Sequence, residues 1–551
     1  MDKRASHNII LTGFSFTGKS EVGERVAQRL GLRFADSDEE IVALAGKDIP
    51  DIFAQDGEVR FRELERQVLE RVCEGEGTVV ATGGGAVVDA ANRDLFSRNG
   101  VVICLEATPD TIHQRLLAAQ EAYHVVRPLL AVDNPLEHII SLKASRQPYY
   151  DMADFSVDTD SLTLSHVVDH VIYDFKQATA RAYDPGYFED ASYLVATATA
   201  SYPVFVRWGA LGDLGRRMLQ TRLSGPVNVI SDGDVFPHYG SHASDSLTEA
   251  GFLADSYVVP SGEQTKTVDS AVSIYDWLVE HRTERGHALV ALGGGMVGDL
   301  AGFVAATFLR GLPLVQVPTT LLAMADSCIG GKVAVNHPLA KNIIGAFYQP
   351  HLVIIDPITL STLPRRELAS GWAEVIKHGM VLDPRFLDFL DSNAQGLLGL
   401  EAEATTAAVQ RSGWLKAMVV SEDERESGKR VILNYGHTIA HGLEAATGYG
   451  QLLHGEAVAI GMMGAAILSE RLGLASQECV ARQRDLLQRF GLPTAYRGVD
   501  INSIVGAMEL DKKVKEKALR WVLLEGIGQP VVRDDVPFDE VTSVLEHLVE
   551  D

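Results

Sequence analysis

The chain has 551 residues, 46% of them apolar and 22% charged, with a formal net charge of −25. This is ordinary for folded globular protein and long enough for three or four domains. The charge argues against nucleic acid or an anionic membrane as main partner, so any anionic ligand must be gripped by local Arg and Lys.

Met1-Asp2-Lys3-Arg4 and the polar residues after it carry no signal-peptide pattern, and a cytoplasmic location is expected. Four scattered cysteines, Cys73, Cys104, Cys328 and Cys479, form no CxxC pair and suit a reducing compartment. The longest apolar run, Ala457 to Leu468, is too short to span a bilayer and contains Gly461 and Gly464, so it reads as a buried helix.

Strand and helix signals alternate over residues 7–175, which predicts a parallel sheet covered on both faces. His7 to Thr12 reads as a strand, and the sequence from Gly13 through Phe14-Ser15-Phe16-Thr17 to Gly18-Lys19-Ser20 as a phosphate loop. Glu21 to Leu30 reads as the helix after it. Such a loop turns backbone N–H groups onto phosphate, Lys19 reaches the outer phosphates, and Ser20 holds Mg²⁺. The helix adds its positive end.

Next, Phe34-Ala35-Asp36-Ser37-Asp38 sets two carboxylates two residues apart on one side of a strand end, one for Mg²⁺ and one to accept a hydroxyl proton. Arg62 lies near a helix start. Thr78 to Ala81 and Val101 to Leu105 read as buried strands, and Gly83-Gly84-Gly85 lets a ligand touch backbone. Arg127 falls on a lid-like stretch, and Arg146 with Tyr150 comes last. Each Arg alone is more simply a solvated surface residue.

From Lys176 the pattern fades, and residues 176–194 read as a linker. Strand signals return at Tyr202–Val206, Val227–Ile230, Ser256–Val259, Ala288–Leu292 and Leu314–Val317, giving a second α/β unit over 195–363. Helical patterning dominates 364–551. Gly293-Gly294-Gly295-Met296-Val297-Gly298-Asp299 follows a strand, where glycines suit a pyrophosphate. It is not GxGxxG, and a tight structural turn is an even alternative. Around it lie Ser261-Gly262-Glu263-Gln264-Thr265-Lys266, Thr319-Thr320, Asp326, Gly330-Gly331-Lys332 and Lys341-Asn342.

Further on, Glu374, His437, His441 and His454 make a spread-out metal-ligating set. His437 and His441 share one helix face, a spacing that is more often incidental. Two His and one carboxylate with open positions suit catalytic Zn²⁺. Lys332, Lys377, Lys416, Arg430 and Lys512-Lys513 add cations that fit a substrate bearing both phosphate and carboxylate.

In order and spacing, residues 7–175 resemble shikimate kinase. The resemblance implies a P-loop fold like the nucleoside monophosphate kinases, with ATP and Mg²⁺ as cofactors. Asp38, Arg62, Gly84 and Arg146 would hold shikimate, with Arg62 and Arg146 clamping its carboxylate and Asp38 orienting or deprotonating the 3-hydroxyl. Gly13, Gly18 and Lys19 would cradle ATP, Lys19 and Arg127 would steady the transferred phosphoryl, and Ser20 with Asp36 would hold Mg²⁺. Ser15-Phe16-Thr17 departs from the smaller, Gly-containing loop interior usual in that family, and Glu21 replaces a hydroxyl residue.

Residues 195–545 resemble 3-dehydroquinate synthase. The matching runs are Gly293 to Pro350, Gly371-Trp372-Ala373-Glu374-Val375-Ile376-Lys377, Asn434 to His441 and His454-Gly455-Glu456. The resemblance implies a Rossmann-like NAD⁺ domain, an α-helical metal domain and a site between them. Glu374, His437 and His454 would be the ligands of Zn²⁺ or Co²⁺. His441 would be a substrate or proton-relay contact, which the spacing alone would not have chosen.

Ser261, Gly262, Glu263, Gln264, Thr265, Lys266, Gly295, Met296, Val297, Gly298, Asp299, Thr319, Thr320, Lys332, Lys341 and Thr359-Leu360-Ser361-Thr362 would line the NAD⁺ site. Arg310, Lys332, Asn342, Lys416 and Lys513 would contact substrate, and Lys332, Lys377, Arg430, Asn434 and His441 would serve catalysis. The implied reaction starts from 3-deoxy-D-arabino-heptulosonate 7-phosphate. It passes through transient oxidation, loss of phosphate, re-reduction, ring opening and an aldol closure.

A homodimer through the synthase half is expected, with small-molecule substrates and neither nucleic acid nor membrane as partner. The competing readings are another sugar-phosphate cyclase or an NAD/metal alcohol dehydrogenase in the second half, a nucleotide switch in the first, or one half retained without catalysis.

Overall fold

The computed structural model describes residues 8–123, 134–160, 162–182, 191–448, 450–515 and 520–549. The chain divides into two compact units, Met1–Gly186 and Tyr187–Asp551.

In the first unit, strands β1 (Asn8–Thr12), β2 (Arg33–Asp36), β3 (Thr78–Ala81), β4 (Gly100–Glu106) and β5 (Phe155–Asp158) form one sheet in the order β2-β3-β1-β4-β5. Every pair is parallel. Because successive strand residues face opposite sides, the sheet feeds two cores. Ile10, Val80, Val102 and Cys104 enter one with Phe61 and Phe96. Ile9, Leu11, Val79 and Ile103 enter the other with Val22, Val26 and Val171. The phosphate loop bridges β1 to helix Lys19–Leu30, which starts two residues before the predicted start.

Two corrections arise here. Asp36 and Asp38 do not share a strand end. Asp36 closes β2 and caps helix Ser37–Ala45, its Oδ1 accepting from Asp38 N at 2.9 Å, so Asp38 lies in the helix's first turn. The last helix, Leu164–Ala182, runs through the first part of the expected linker.

The second unit is built on β6 (Tyr193–Ala196), β7 (Ser201–Val206), β8 (Val227–Asp232), β9 (Ala254–Val259), β10 (Ala288–Gly293), β11 (Leu314–Pro318) and β14 (Leu352–Ile355). Their order is β6-β7-β14-β11-β10-β8-β9, and only β6 runs antiparallel to its neighbour. Val290 and Leu292 face one core and Leu289 and Ala291 the other. Two hairpins, β12 (Lys332–His337) with β13 (Ala340–Phe347) and β15 (Trp521–Gly526) with β16 (Gln529–Arg533), complete the strands.

Helices Arg365–Leu382, Ala402–Glu422, His437–Ala446 and His454–Arg471 form the α-rich part. The apolar run at 457–468 is buried inside the last of these. Its glycines are packing contacts. A Cβ on Gly461 would lie 2.0 Å from the Gly436 carbonyl oxygen, and one on Gly455 would lie 1.8 Å from that of Ser370.

Candidate active sites

In the first unit the phosphate loop is shaped by its glycines. Gly13 has φ +130°, and a Cβ there would lie 2.2 Å from the Leu105 carbonyl oxygen. Lys19 is buried and donates to the carbonyls of Gly13 (2.9 Å) and Phe14 (2.7 Å), which aims its ammonium into the loop. Phe16 holds φ 67°, a left-handed conformation costly for a side-chain-bearing residue. Packing against the core and a bond from Arg115 Nη1 to its carbonyl (3.2 Å) hold it there. Ser20 Oγ donates to Asp36 Oδ2 at 2.5 Å, so both oxygens can face one Mg²⁺.

Beside the loop lies a cleft lined by Phe14, Asp38, Phe53, Phe61, Arg62, Glu65, Gly84, Leu142 and Arg146. Arg62 donates to Glu65 Oε2 (2.8 Å) and Glu58 Oε1 (3.2 Å). Glu65 is almost fully buried, and burial raises its pKa against the pull of Arg62. Its Oε1 has no hydrogen-bond partner among the described residues. Arg146 Nη1 (3.1 Å) and Tyr150 OH (2.7 Å) both donate to the Gly84 carbonyl. The Gly84 Cα faces the phosphate loop, because a Cβ would lie 2.9 Å from Ser15 N. The cleft therefore brings together the guanidiniums of Arg62 and Arg146 and the carboxylates of Asp38 and Glu65, a match for a hydroxylated carboxylic acid.

The second unit's metal-ligating set is compact. The ligating atoms of Glu374, His437 and His454 all lie within 4.8 Å of one another. Glu374, 1% exposed, sits on helix Arg365–Leu382, and its Oε1 is 3.5 Å from His437 Nε2 and 3.6 Å from His454 Nε2. These gaps are too long for hydrogen bonds and leave room for an ion. The opposite ring nitrogens are oriented by the Tyr435 carbonyl (3.2 Å) and Glu444 Oε1 (3.3 Å). Outer partners of this kind fix the metal-facing nitrogen, so the set fits a divalent metal. Burial opposes the Glu374 charge, yet Lys377 and the two imidazoles hold its pKa well below the usual carboxylate range. His441 lies beside His437, ring centroids 5.6 Å apart, and is not one of the clustered ligands.

Cations surround this set. Lys377 pairs with Glu374, and Lys416 Nζ donates to Asp326 Oδ1 at 2.7 Å. Arg430 is buried and donates to the carbonyls of Gly330 (3.2 Å) and Glu424 (2.7 Å). Lys332 pairs with Glu426, which also accepts from Asn434 Nδ2 at 2.6 Å. Burial, with repulsion from Arg430 and Lys416, lowers the Lys332 pKa to about 8.

At the carboxyl ends of β10 and β11, Gly294 precedes helix Gly295–Thr307, and its Cβ would meet Thr320 Cγ2 at 3.0 Å. Glycine lets this helix start sit close against Thr320, and the buried Thr319 Oγ1 has no partner among the described residues, an arrangement that suits a pyrophosphate. Lys266, also buried, donates to Asp299 (3.0 Å) and pairs with Glu263 (3.1 Å). Burial lifts the Asp299 carboxyl to about 6. Tyr239 OH bonds the Thr359 carbonyl (3.0 Å) and lies 2.7 Å from Thr362 Oγ1.

Residues 256–370 match the family model for the 3-dehydroquinate synthase N-terminal part and 371–514 that for its C-terminal part. The 3-dehydroquinate synthase of Crocosphaera subtropica is 45% identical over 351 residues, 63% of this chain and 96% of that protein. That of Nostoc punctiforme is 48% identical over 63% of this chain and 97% of that protein. The chain belongs to the 3-dehydroquinate synthase family.

Residues 16–176 match the family model for shikimate kinase. The synthase thus shares its chain with a shikimate kinase domain, and the whole is a bifunctional shikimate-pathway enzyme. Among solved structures, 2-epi-5-epi-valiolone synthase from Streptomyces hygroscopicus, with NAD⁺ and Zn²⁺ bound, is 27% identical with a TM-score of 0.59. The likeness covers 63% of this chain and 97% of that one. A 2-deoxy-scyllo-inosose synthase with carbaglucose-6-phosphate, NAD⁺ and Co²⁺ is also 27% identical with a TM-score of 0.59, over 64% and 99%.

Within the synthase, the structure brings Glu374, His437, His454, Lys332, Lys377, Lys416, Arg430 and Asn434 into one neighbourhood. Arg310 and Asn342 are exposed at positive φ on a turn and a hairpin and enter none of these contacts. Val297 and Leu360 are buried core residues, so only their backbones are available to a ligand. Arg127 lies outside the described residues, and so does the side chain of Lys513. Sequence reading missed Glu426, Glu444, Glu65 and Arg115. Glu426, Glu444 and Arg115 act across fold contacts that no local spacing announces, whereas Glu65 pairs with Arg62 three residues away on one helix, a spacing that could have found it.

Proposed function

We propose that the kinase domain phosphorylates the 3-hydroxyl of shikimate from ATP, and that the synthase converts 3-deoxy-D-arabino-heptulosonate 7-phosphate to 3-dehydroquinate and phosphate. The observation that carries the reading is the Glu374–His437–His454 set ringed by Lys332, Lys377, Lys416 and Arg430. A metal cluster amid that many cations suits a polyol with both phosphate and carboxylate.

In the kinase, Arg62 and Arg146 would bind the substrate carboxylate, and Asp38 would orient the accepting hydroxyl and take its proton. Lys19 would draw charge from the transferred phosphoryl, while Ser20 and Asp36 would hold Mg²⁺. In the synthase, bound NAD⁺ would supply a transient hydride acceptor and Zn²⁺ or Co²⁺ a Lewis acid. Glu374, His437 and His454 would hold that ion. The bare start of helix Gly295–Thr307 with Lys266, Asp299, Thr319 and Thr320 would hold the dinucleotide.

Lys332 would neutralise a phosphate, Arg430 and Lys416 a carboxylate, and Asn434 would orient a hydroxyl. His441 stands beside His437 to relay a proton. The Arg430–Lys416 pair favours a carboxylated substrate over those of the sister cyclases, as does identity of 45–48% to dehydroquinate synthases against 27% to the others.

We further infer domain bounds of 1–175 for the kinase, whose last helix, Leu164–Ala182, continues into the connecting stretch, 195–363 for the NAD⁺ part and 364–551 for the metal part. A homodimer through the synthase half and a cytoplasmic location complete the reading. The four cysteines are free and buried, and no described helix is long and apolar enough to cross a membrane. A net charge of −25 disfavours nucleic-acid and membrane partners.

The test is phosphate release from the heptulosonate phosphate with NAD⁺, before and after chelation, beside shikimate-dependent ADP formation. Chelator-sensitive release without net NADH is expected. Net NADH, or no release from metal-replete protein, would overturn the synthase assignment. ATP turnover indifferent to shikimate would overturn the kinase assignment.

A further inference from the structure

Helix Ala402–Glu422 ends at Asp423, a residue 8% exposed whose carboxylate is ringed by donors from a single turn. Oδ1 accepts from Ser427 N (2.9 Å) and Ser427 Oγ (3.1 Å), and Oδ2 from Gly428 N (2.7 Å) and Arg430 N (3.0 Å). Four bonds use the full acceptor capacity of one carboxylate. None of these four donors is a cation, although the Arg430 guanidinium is near enough to feel the carboxylate's charge.

The turn so gathered carries two groups of the synthase site. Glu426 holds φ 56°, a strained conformation for a residue with a side chain, and sends its carboxylate to Lys332 and Asn434. Arg430 reaches from the other end of the turn to the Gly330 carbonyl, next to Lys332. The first residue after Asp423 is tied separately, because Glu424 Oε1 accepts from Gln349 Nε2 at 2.9 Å and its carbonyl accepts from Arg430. Asp423 makes no hydrogen bond to the metal-ligating set; it reaches Arg430 through the backbone N–H and through the attraction between their charges.

We propose that Asp423 is a positioning residue of the synthase. Its carboxylate folds the turn 424–430 so that Glu426 and Arg430 face the substrate together. The proposal rests on the synthase reading above. Without Asp423 the Glu426 backbone has no reason to stay left-handed, and both side chains lose their common frame. Asparagine keeps one accepting oxygen and can serve only one of the two donor pairs, so Asp423→Asn should lie between the wild type and Asp423→Ala.

The experiment uses the full chain and the heptulosonate phosphate, with metal content and kinase turnover measured on each sample. Wild-type chain without phosphate release would sink the synthase reading itself and is scored first. With wild type active, Asp423→Ala is expected to lower synthase kcat/KM about a hundredfold, the scale of a misplaced catalytic frame, with bound metal and kinase kcat/KM unchanged. In a Glu426→Gln background the same change should cost less than about tenfold, since only Arg430 remains to be misplaced. Equal loss in both backgrounds would overturn the proposal. So would loss of bound metal along with turnover in both Asp423→Ala and Asp423→Asn, which would mark a support of the whole fold. Wild-type kinetics in Asp423→Ala would overturn it as well.

Discussion

Lys332 is charged only below its lowered pKa of about 8, because burial and the nearby Arg430 and Lys416 disfavour a further positive charge. Raising pH through about 8 removes the proton and with it the attraction for a phosphate. Synthase kcat/KM should therefore fall about tenfold per pH unit above that point. Kinase turnover on the same chain should lack this limb. Lys332→Arg, which stays charged, should move the limb to higher pH, and an unmoved limb would assign the titration elsewhere. In the kinase, Arg62 is held by Glu58 and Glu65 at the cleft wall. Arg62→Leu should raise KM for shikimate about a hundredfold, the loss of a charged hydrogen-bonding pair, and leave KM for ATP nearly unchanged. Equal rises in both would show that the variant disturbs the whole domain. At this scale the phosphate loop was legible because Gly13 to Ser20 is one continuous motif, although the left-handed turn at Phe16 in its departing interior was not. Glu426 was not, because its partners Lys332 and Asn434 meet it only when three segments fold together. The metal set lay between these cases. Spacing singled out His437 with His441, while the fold pairs His437 with His454 across two helices.

Elements were legible where a buried parallel strand writes a run of Val, Ile and Leu, as in Ala288 to Leu292. The edge strand β9 was read, but the hairpin strands, the short edge strands β5 and β6 and the buried β14 were not. β13 carries mixed, half-exposed residues, and β6 is only four residues long and starts inside a stretch read as linker. Helix His454–Arg471 shows how an element transmits packing to the site. A methyl on Gly461 would press on the Gly436 carbonyl oxygen at 2.0 Å and approach Ala440 N at 3.1 Å. Both are backbone atoms at the start of helix His437–Ala446, whose first residue belongs to the Glu374–His437–His454 set. Gly436 has φ 81° and cannot easily change conformation. Gly461→Ala should destabilise the synthase unit by about 1–3 kcal/mol, the usual cost of overpacking, and weaken metal binding. A methyl on Gly464 would meet the side-chain tips Ile439 Cδ1 (2.4 Å) and Leu548 Cδ1 (3.1 Å), which can rotate away. Gly464→Ala should cost less and leave metal affinity near wild type. Thermal melting and metal titration of the two variants would check this order, and the reverse order would deny that backbone contact at Gly436 sets the ligand's place.

At the scale of the molecule, two enzymes with different ions share one chain. On the proposed reading the kinase domain would hold its cation with Ser20 and Asp36, hard oxygen donors that suit Mg²⁺. The synthase would use two imidazoles and one carboxylate, which favour Zn²⁺ or Co²⁺ over Mg²⁺. Each unit also has its own hydrophobic cores, so neither site needs the other's ion in order to form. On the proposed reading the synthase product, 3-dehydroquinate, is not the kinase substrate, so one site has no product to hand directly to the other. Stripping the full chain with a chelator and removing the chelator should silence both activities. Returning Mg²⁺ alone should restore shikimate phosphorylation in full and leave phosphate release from the heptulosonate phosphate absent. Adding Zn²⁺ or Co²⁺ at about one equivalent per chain should restore that release, and Glu374→Gln should abolish this recovery while sparing the kinase. Recovery of both activities with Mg²⁺ alone would mean that the imidazole-carboxylate set is not a transition-metal site. Kinase loss in Glu374→Gln would show the two units to be energetically coupled, against the independence their separate cores imply.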